Sequence, residues 1–323
     1  MEPIRPIPLE AIRAAQQRIR GQVLRTPLVP LAVQEAPAKI FLKLENLQPI
    51  GSFKLRGAGN AMQMASADQL ADGVFTASAG NMAQGVAWNA RRLGIPCTVL
   101  VPDHAPETKL AAVRRLGGAI VKVPFDAWWE VLLTRKCDQC KGLFIHPVSD
   151  PAVIAGNGTI GLEILEDLPD VDAVVVPYGG GGLSSGIASA IRALRPQTKI
   201  YAGEVETAAP LAPSLAAGEP CTVSYTPSFV DGIGGKSLLR EMWPMVRDLL
   251  DGSLVMPLPA IAAAIRLLAE RNRIIAEGAG ATPVAAALAG KAGDGKVVCV
   301  ISGGNIDSAV LARILTGWTG MPA

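Results

Sequence analysis

The sequence predicts an α/β protein built from two doubly wound, mainly parallel sheets. Three observations carry that prediction. Apolar runs such as Cys97–Val101 (CTVLV), Ala173–Pro177 (AVVVP) and Lys296–Ile301 (KVVCVI) have strand length and little polar alternation, as strands covered on both faces require. Segments of helical spacing stand between them, and parallel strands need such crossovers. The composition is 50% hydrophobic but only 4% aromatic, so Ala, Val, Leu and Ile must fill a closely packed interior. At about 150 residues per domain, 323 residues suggest two compact units.

The elements follow in order. Residues 9–20 (LEAIRAAQQRIR) have helical spacing and a basic far end. Lys39–Glu45 (KIFLKLE) reads as a strand, after which Gly51-Ser52 opens a helix bearing Lys54. Val74–Ala77 is strand-like, Met82–Leu93 helical, Cys97–Val101 a buried strand, Thr108–Leu116 helical and Ala119–Val123 a strand. A second series has a helix at Ile160–Leu168 and the strand Ala173–Pro177, which runs into Gly179–Gly182. It continues with a helix at Ile187–Leu194, a strand at Ile200–Gly203, a helix at Ala260–Asn272 and the strand Lys296–Ile301. The expected division is a large unit of residues 1–50 and 149–323 and a small unit of residues 51–148, both boundaries approximate. No internal repeat or low-complexity tract is visible, and no regulatory module is expected after residue 323.

Several function classes are disfavoured. A net charge of +2 supplies no basic stripe for a phosphate backbone, so no nucleic-acid partner is expected. The N-terminus Met1-Glu2-Pro3-Ile4-Arg5-Pro6 lacks an apolar signal core, and no apolar run reaches the roughly 18 residues needed to span a bilayer. The five cysteines do not read as a disulfide framework. Cys137-x-x-Cys140 is expected to be two reduced thiols at one helical turn's spacing. A cytoplasmic protein without a membrane partner is the expectation, and the glycosylation pattern at Asn157-Gly158-Thr159 then has no meaning.

The chemistry begins at Gly179-Gly180-Gly181-Gly182, between a strand and a helix. Such a loop turns backbone N–H groups toward a helix N-terminus, where a phosphate is favoured. The dinucleotide spacing G-x-G-x-x-G fails here, because Ser185 stands where Gly180 and Gly182 require a glycine. Gly234-Gly235-Lys236-Ser237 resembles the end of a Walker loop, but Val230 stands at its first glycine. Neither a nicotinamide cofactor nor ATP is favoured.

Five separated segments resemble the fold-type II pyridoxal-phosphate (PLP) enzymes, in the serine/threonine dehydratase and serine racemase branch. Arg25-Thr26-Pro27-Leu28 resembles the branch's N-terminal motif, and Ser52-Phe53-Lys54-Leu55-Arg56-Gly57-Ala58 its cofactor-lysine motif. Ser78-Ala79-Gly80-Asn81 resembles its substrate loop. Gly179–Gly182 and Ser302-Gly303-Gly304-Asn305 resemble its phosphate loop and pyridine-nitrogen site. The resemblance covers nearly the whole chain in one order.

It implies a tryptophan synthase β-like fold with the cofactor between the two domains. It implies that Lys54 carries the cofactor and, once displaced by substrate, removes the Cα proton. A lysine does this best when burial lowers its pKa toward about 7–8. Gly179, Gly180, Gly181, Gly182 and Leu183 are implied to hold the phosphate, Phe53 to flank the lysine and Asn81 to bond the ring oxygen. Ser302 is implied to meet the pyridine nitrogen; a neutral hydroxyl there gives a weaker electron sink than a carboxylate, which suits prompt loss of a β-substituent. Ser78, Ala79, Gly80, Asn81 and Met82 are implied to hold the substrate carboxylate. The implied reaction removes water from a 3-hydroxy amino acid — threonine, serine or a bulkier analogue such as phenylserine — to give a 2-oxo acid and ammonia. The family also implies a homodimer.

Some residues depart from the family pattern. Ala79 replaces the second loop serine of serine racemase and cannot transfer a proton, which favours a dehydratase over a racemase. Met82 stands where many relatives have histidine. The divalent-cation positions match Glu204 and the Ala208 carbonyl, but Pro210 replaces an aspartate, so a cation is doubtful. Phe125, Trp128 and Trp129 read first as core, and otherwise as an apolar wall for a large β-substituent. Glu130 stands where relatives with acidic ligands carry arginine, which disfavours hydroxyaspartate. His104 and His146 are assigned no chemistry. The rivals are a racemase with side elimination, a non-catalytic PLP-binding protein and a nicotinamide-dependent oxidoreductase.

Overall fold

The structure is a computed structural model that describes residues 2–320. Along the chain run α1 (Leu9–Arg18), β1 (Leu28–Pro30), β2 (Lys39–Lys43), α2 (Lys54–Met64), α3 (Ala67–Leu70), β3 (Val74–Ala77) and α4 (Asn81–Leu93). Next come β4 (Cys97–Pro102), α5 (Glu107–Arg115), β5 (Ala119–Val123), α6 (Phe125–Thr134), β6 (Leu143–Phe144) and α7 (Pro151–Asp167). The remainder holds β7 (Ala173–Pro177), α8 (Gly182–Leu194), β8 (Lys199–Val205), α9 (Leu211–Ala217), α10 (Trp243–Leu249) and β9 (Gly252–Met256). It closes with α11 (Leu258–Leu267), α12 (Gly278–Leu288), β10 (Lys296–Val300) and α13 (Ser308–Leu315).

The strands form a six-stranded sheet, β1-β2-β10-β7-β8-β9, and a four-stranded sheet, β5-β4-β3-β6. Every pairing is parallel except the edge pair β1–β2. Alternation of side chains explains the unbroken apolar runs. Val174, Val176, Val298 and Val300 pack on one face of the large sheet with α1, α7 and α8. Ala173, Val175, Val297 and Cys299 pack on the other with α11 and α12. A smaller core closes the second sheet around Val74, Val99, Val101 and Leu110.

α7 begins nine residues before the helix read from the sequence, with Pro151 in its first turn and the Asp150 carboxylate accepting from the Ala152 and Val153 N–H groups. Its glycines disguise it, since each weakens a helix by about 1 kcal/mol relative to alanine. They are there because the helices touch. A Cβ at Gly156 would lie 2.5 Å from the Arg56 carbonyl of α2, and one at Gly158 would lie 2.8 Å from the Gly186 carbonyl of α8.

The same close packing seals an ion cluster behind α2. Arg56 donates to Glu45 (2.8 Å from Nη2) and to Glu163 (2.7 Å from Nη1), while Lys43 Nζ reaches Glu163 and the Thr26 carbonyl, each at 2.6 Å. All four charged groups are buried. Burial opposes the Arg56 charge, but Glu45 and then Glu163 hold the guanidinium above its ordinary pKa. Arg56, two residues after Lys54, thus fixes the orientation of its helix.

Cys137 and Cys140 lie on a turn after α6, not on a helix. Their sulfurs are 2.8 Å apart. All five cysteines are free. No described helix is long and apolar enough to cross a membrane.

Candidate active site

Parallel sheets gather the carboxyl ends of their strands on one edge, and ligands bind in the crevice outside those ends. Here β3 runs into Ser78–Gly80 and α4, β7 into the glycine loop and α8, and β10 into Ser302. These three turns, together with the start of α2, surround a pocket of about 400 Å³. Phe53, Lys54, Ser78, Ala79, Gly80, Asn81, Met82, Gly179–Leu183 and Ser302 all line it. A larger depression of about 490 Å³ beside α1, lined by Arg13, Gln17 and Glu166, has no comparable convergence of chemistry.

Lys54 is the first residue of α2, and its Nζ donates to the Pro147 carbonyl at 2.6 Å. Burial lowers its pKa from 10.5 to about 8, with the nearby Glu277 carboxylate working the other way. Main-chain bonds fix this end of the helix. The Phe53 N–H donates to the Ser302 carbonyl at 3.0 Å, and the Gly304 N–H to the Gly51 carbonyl at 2.9 Å. Gly51 turns there with φ +71°, the left-handed region that favours glycine.

The Pro147 carbonyl is aimed by His146, to which the sequence pattern assigns no role. Its Nδ1 accepts from the Val148 and Ser149 N–H groups at 3.0 and 2.8 Å, and its Nε2 lies 3.1 Å from the Leu132 carbonyl. Burial, and then the Arg135 charge, lower its pKa to about 3, so the ring is neutral, with the proton on Nε2. The turn it holds seats Val148 against the glycine loop. A Cβ at Gly180 would lie 2.5 Å from Val148 Cγ1, and one at Gly182 would lie 2.8 Å from the Val148 carbonyl. Gly181 has φ +92° and leads directly into α8. The loop therefore needs small residues for reasons of space and of backbone geometry.

Asn81 opens α4 and is committed on both ends of its amide. Nδ2 donates to Glu277 at 2.9 and 3.2 Å, and Oδ1 accepts from Asn305 Nδ2 at 2.8 Å. α4 has no side-chain cap, so the N–H groups of its first turn lack a capping partner where Asn81 and Met82 line the pocket. The Gly80 N–H is taken by Ser78 Oγ at 3.2 Å. Glu277 is an unexpected member of the site. Its one trace in the sequence is a lone carboxylate just ahead of the long apolar run that becomes α12. Burial, and then Asp231, push its pKa up to about 7, against the Asn81 hydrogen bond. Ser302 is 2% exposed and lines the pocket, and its hydroxyl makes no hydrogen bond among the described residues.

The remaining expectations divide. Phe125 and Trp128 line the pocket. Trp129 and Glu130 do not, and both are exposed, so the Glu130 carboxylate has no geometric basis for selecting against an acidic substrate. Glu204 and Ala208 do not line the pocket, although Ala208 packs against Gly234, which does. The Glu204 oxygens accept from the Leu211 and Ala212 N–H groups, each at 2.9 Å, and from Ser253 Oγ at 2.5 Å. Glu206 is likewise taken, by the Leu258 N–H at 2.9 Å. No cluster of three or more His, Cys, Asp or Glu side chains able to hold a metal occurs among the described residues.

Residues 19–303 match the family model described as "Pyridoxal-phosphate dependent enzyme". The chain belongs to the pyridoxal-phosphate dependent enzyme family. It is 42% identical over 315 residues to the L-threonine ammonia-lyase of Geobacter sulfurreducens, across 96% of this chain and 78% of that protein. Its fold matches maize serine racemase with a TM-score of 0.89 at 35% identity, covering 97% of this chain and 98% of the other. It matches the processed form of threonine deaminase isoform 2 from Solanum lycopersicum with a TM-score of 0.85 at 33% identity, covering 95% of this chain and 86% of the other.

The pocket fits pyridoxal phosphate by its own chemistry. The phosphate needs main-chain donors at a helix start, and the glycine loop before α8 offers them in a space that Val148 keeps narrow. The aldehyde needs an amine of depressed pKa, and the ring nitrogen an open hydroxyl. Lys54 and Ser302 have the chemistry to meet those needs, and the Phe53–Ser302 main-chain bond holds their segments together.

Proposed function

We propose that this enzyme eliminates water from a 3-hydroxy amino acid, and that the released enamine tautomerises and takes up water to give a 2-oxo acid and ammonia. One observation carries the reading: an amine whose pKa is brought down to about 8 shares a 400 Å³ pocket with a glycine phosphate loop and an uncapped helix start.

Bound pyridoxal phosphate would draw electrons from the substrate Cα. Gly179–Leu183 would hold its phosphate, Ser302 its ring nitrogen and Lys54 its aldehyde carbon. Asn81 Nδ2 would give up one of its two contacts with Glu277 to donate to the ring oxygen, and Phe53 would pack beside the lysine. The substrate carboxylate would rest on the Ser78 hydroxyl and on the N–H groups of Ala79, Asn81 and Met82, where the helix start favours negative charge. Lys54, free of its own linkage and neutral, would take the Cα proton onto Nζ. Placement and desolvation are the protein's share of the work.

A racemase needs a second acid/base group on the opposite face. The ionisable side chains lining the pocket are Lys54, Lys109, Asp231 and Glu277. Lys109 and Asp231 pair with each other at 2.5 Å, Glu277 is held by Asn81, and Ala79 offers nothing to titrate. This favours elimination. The division into a large unit (1–50, 149–323) and a small unit (51–148), a homodimeric assembly and a cytoplasmic location belong to the same reading.

Borohydride reduction followed by peptide mapping is expected to fix the cofactor on Lys54. Lys54→Ala is expected to abolish release of 2-oxo acid and ammonia. Label on another side chain, or turnover surviving in Lys54→Ala, would remove the basis of the proposal. Chiral analysis of recovered substrate tests the racemase alternative, which substantial D-enantiomer would favour.

A further inference from the structure

From the aromatic wall of the pocket we infer the substrate class: 3-hydroxy amino acids whose β-substituent is apolar and as large as an aryl ring. The inference rests on the dehydratase reading and narrows it.

A charged β-substituent finds no free partner in this pocket. Lys109 is paired with Asp231 across the mouth, Glu277 with the Asn81 amide, and Lys54 Nζ with the Pro147 carbonyl. What remains for a side chain on this wall is apolar surface and one unpartnered donor, the buried Trp128 indole N–H. Phe125 and Trp128 stand one helical turn apart at the start of α6, with ring centroids 5.6 Å apart and planes tilted by 39°. Pro102 and Pro106 flank them, and neither has an N–H to offer. The arrangement continues outward through His104, whose ring centroid is 6.1 Å from that of Phe125.

Phe125 does not belong to the core, since 47% of it is exposed. A large apolar side chain left half-open on a pocket wall marks a surface to be covered by a ligand. Tilted aromatic rings at this separation also present edges and faces on which a third ring can pack. The methyl of threonine, or the hydrogen of serine, is too small to cover that surface.

The test uses the purified, cofactor-loaded enzyme. Initial rates of 2-oxo acid release are measured with 3-phenylserine, threonine and serine. The kcat/KM for phenylserine is expected to exceed that for threonine by about ten-fold or more, the scale on which apolar pockets discriminate. Phe125→Ala and Trp128→Ala should each lower the phenylserine-to-threonine ratio about ten-fold. Trp128→Phe should largely keep it. Melting curves of the variants identify any that fail to fold, and Phe125→Ala, at a half-exposed site, is the safer of the two. A second readout is equilibrium binding of L-phenylalanine against L-alanine, followed by tryptophan fluorescence. Phenylalanine should bind more tightly, and the difference should shrink in Phe125→Ala. Threonine turned over as well as phenylserine, with a ratio indifferent to both substitutions, would overturn the inference and leave the dehydratase standing. No release from any of the three would overturn the dehydratase reading itself, and the inference with it.

Discussion

At the scale of single residues, Glu277 is the least expected feature. Its carboxylate sits 6% exposed beside the pocket, with a pKa raised from 4.5 to about 7, chiefly by burial. A raised folded-state pKa means that the folded protein binds the extra proton more readily than the unfolded chain does. The corresponding stability is fully present below about pH 4.5 and is lost as pH climbs through about 7. In Glu277→Gln that loss should vanish. Melting of the cofactor-free protein across this range should show the variant matching wild type near pH 4.5. Above pH 7 it should exceed wild type by up to about 3 kcal/mol. Parallel melting curves would exclude Glu277 as the titrating group. The motif residues Lys54, Asn81, Ser302 and the four glycines were legible because each belongs to a short local pattern. Glu277 and His146 were not. Glu277 acts through a partner remote in sequence, since Asn81 lies 196 positions away. His146 acts on its own neighbours, Val148 and Ser149, but a turn held by an imidazole leaves no periodic pattern to read.

At the scale of elements, the glycine turn between β7 and α8 separates two reasons for being small. A Cβ at Gly179 would meet nothing closer than 3.6 Å, whereas one at Gly182 would press on the Val148 main chain at 2.8 Å. Gly179→Ala should therefore leave the melting temperature of the cofactor-free protein unchanged. Gly182→Ala should lower it, by an amount in the roughly 1–3 kcal/mol range typical of overpacking. Equal melting temperatures would show that Val148 yields without cost. Strands are the most legible elements, since Val74–Ala77, Ala119–Val123 and Ala173–Pro177 have the same bounds in sequence and structure. Buried parallel strands are short, β-branched and uninterrupted, and such a signal is local. Helices are less legible where tertiary contact overrides propensity. The first half of α7 is glycine-rich so that α2 and α8 can approach it, and α12 carries Pro283 inside its span. The two-residue β6 and the antiparallel edge strand β1 are too short to leave a periodic trace.

At the scale of the whole molecule, the buried cluster of Lys43, Glu45, Arg56 and Glu163 joins three parts of the chain behind α2. Net stabilisation from buried pairs is small, because desolvation offsets attraction, but removing one partner strands the others. Glu163→Ala leaves Lys43 without a carboxylate and Arg56 with one. Chemical denaturation should show a loss of about 3–5 kcal/mol. A loss below about 1 kcal/mol, the worth of an exposed pair, would mean that water replaces the missing carboxylate.

The main-chain links between residues 51–53 and 302–304 have a mechanical consequence. They stitch the amine-bearing wall of the pocket to the serine-bearing wall through peptide groups, which no side-chain substitution deletes. The loop of residues 78–82 hangs from the other sheet and meets that seam through the Asn81 amide, which bonds Asn305 and Glu277. Any parting of the loop from the two stitched walls would therefore have to break side-chain bonds first and leave the peptide links for last.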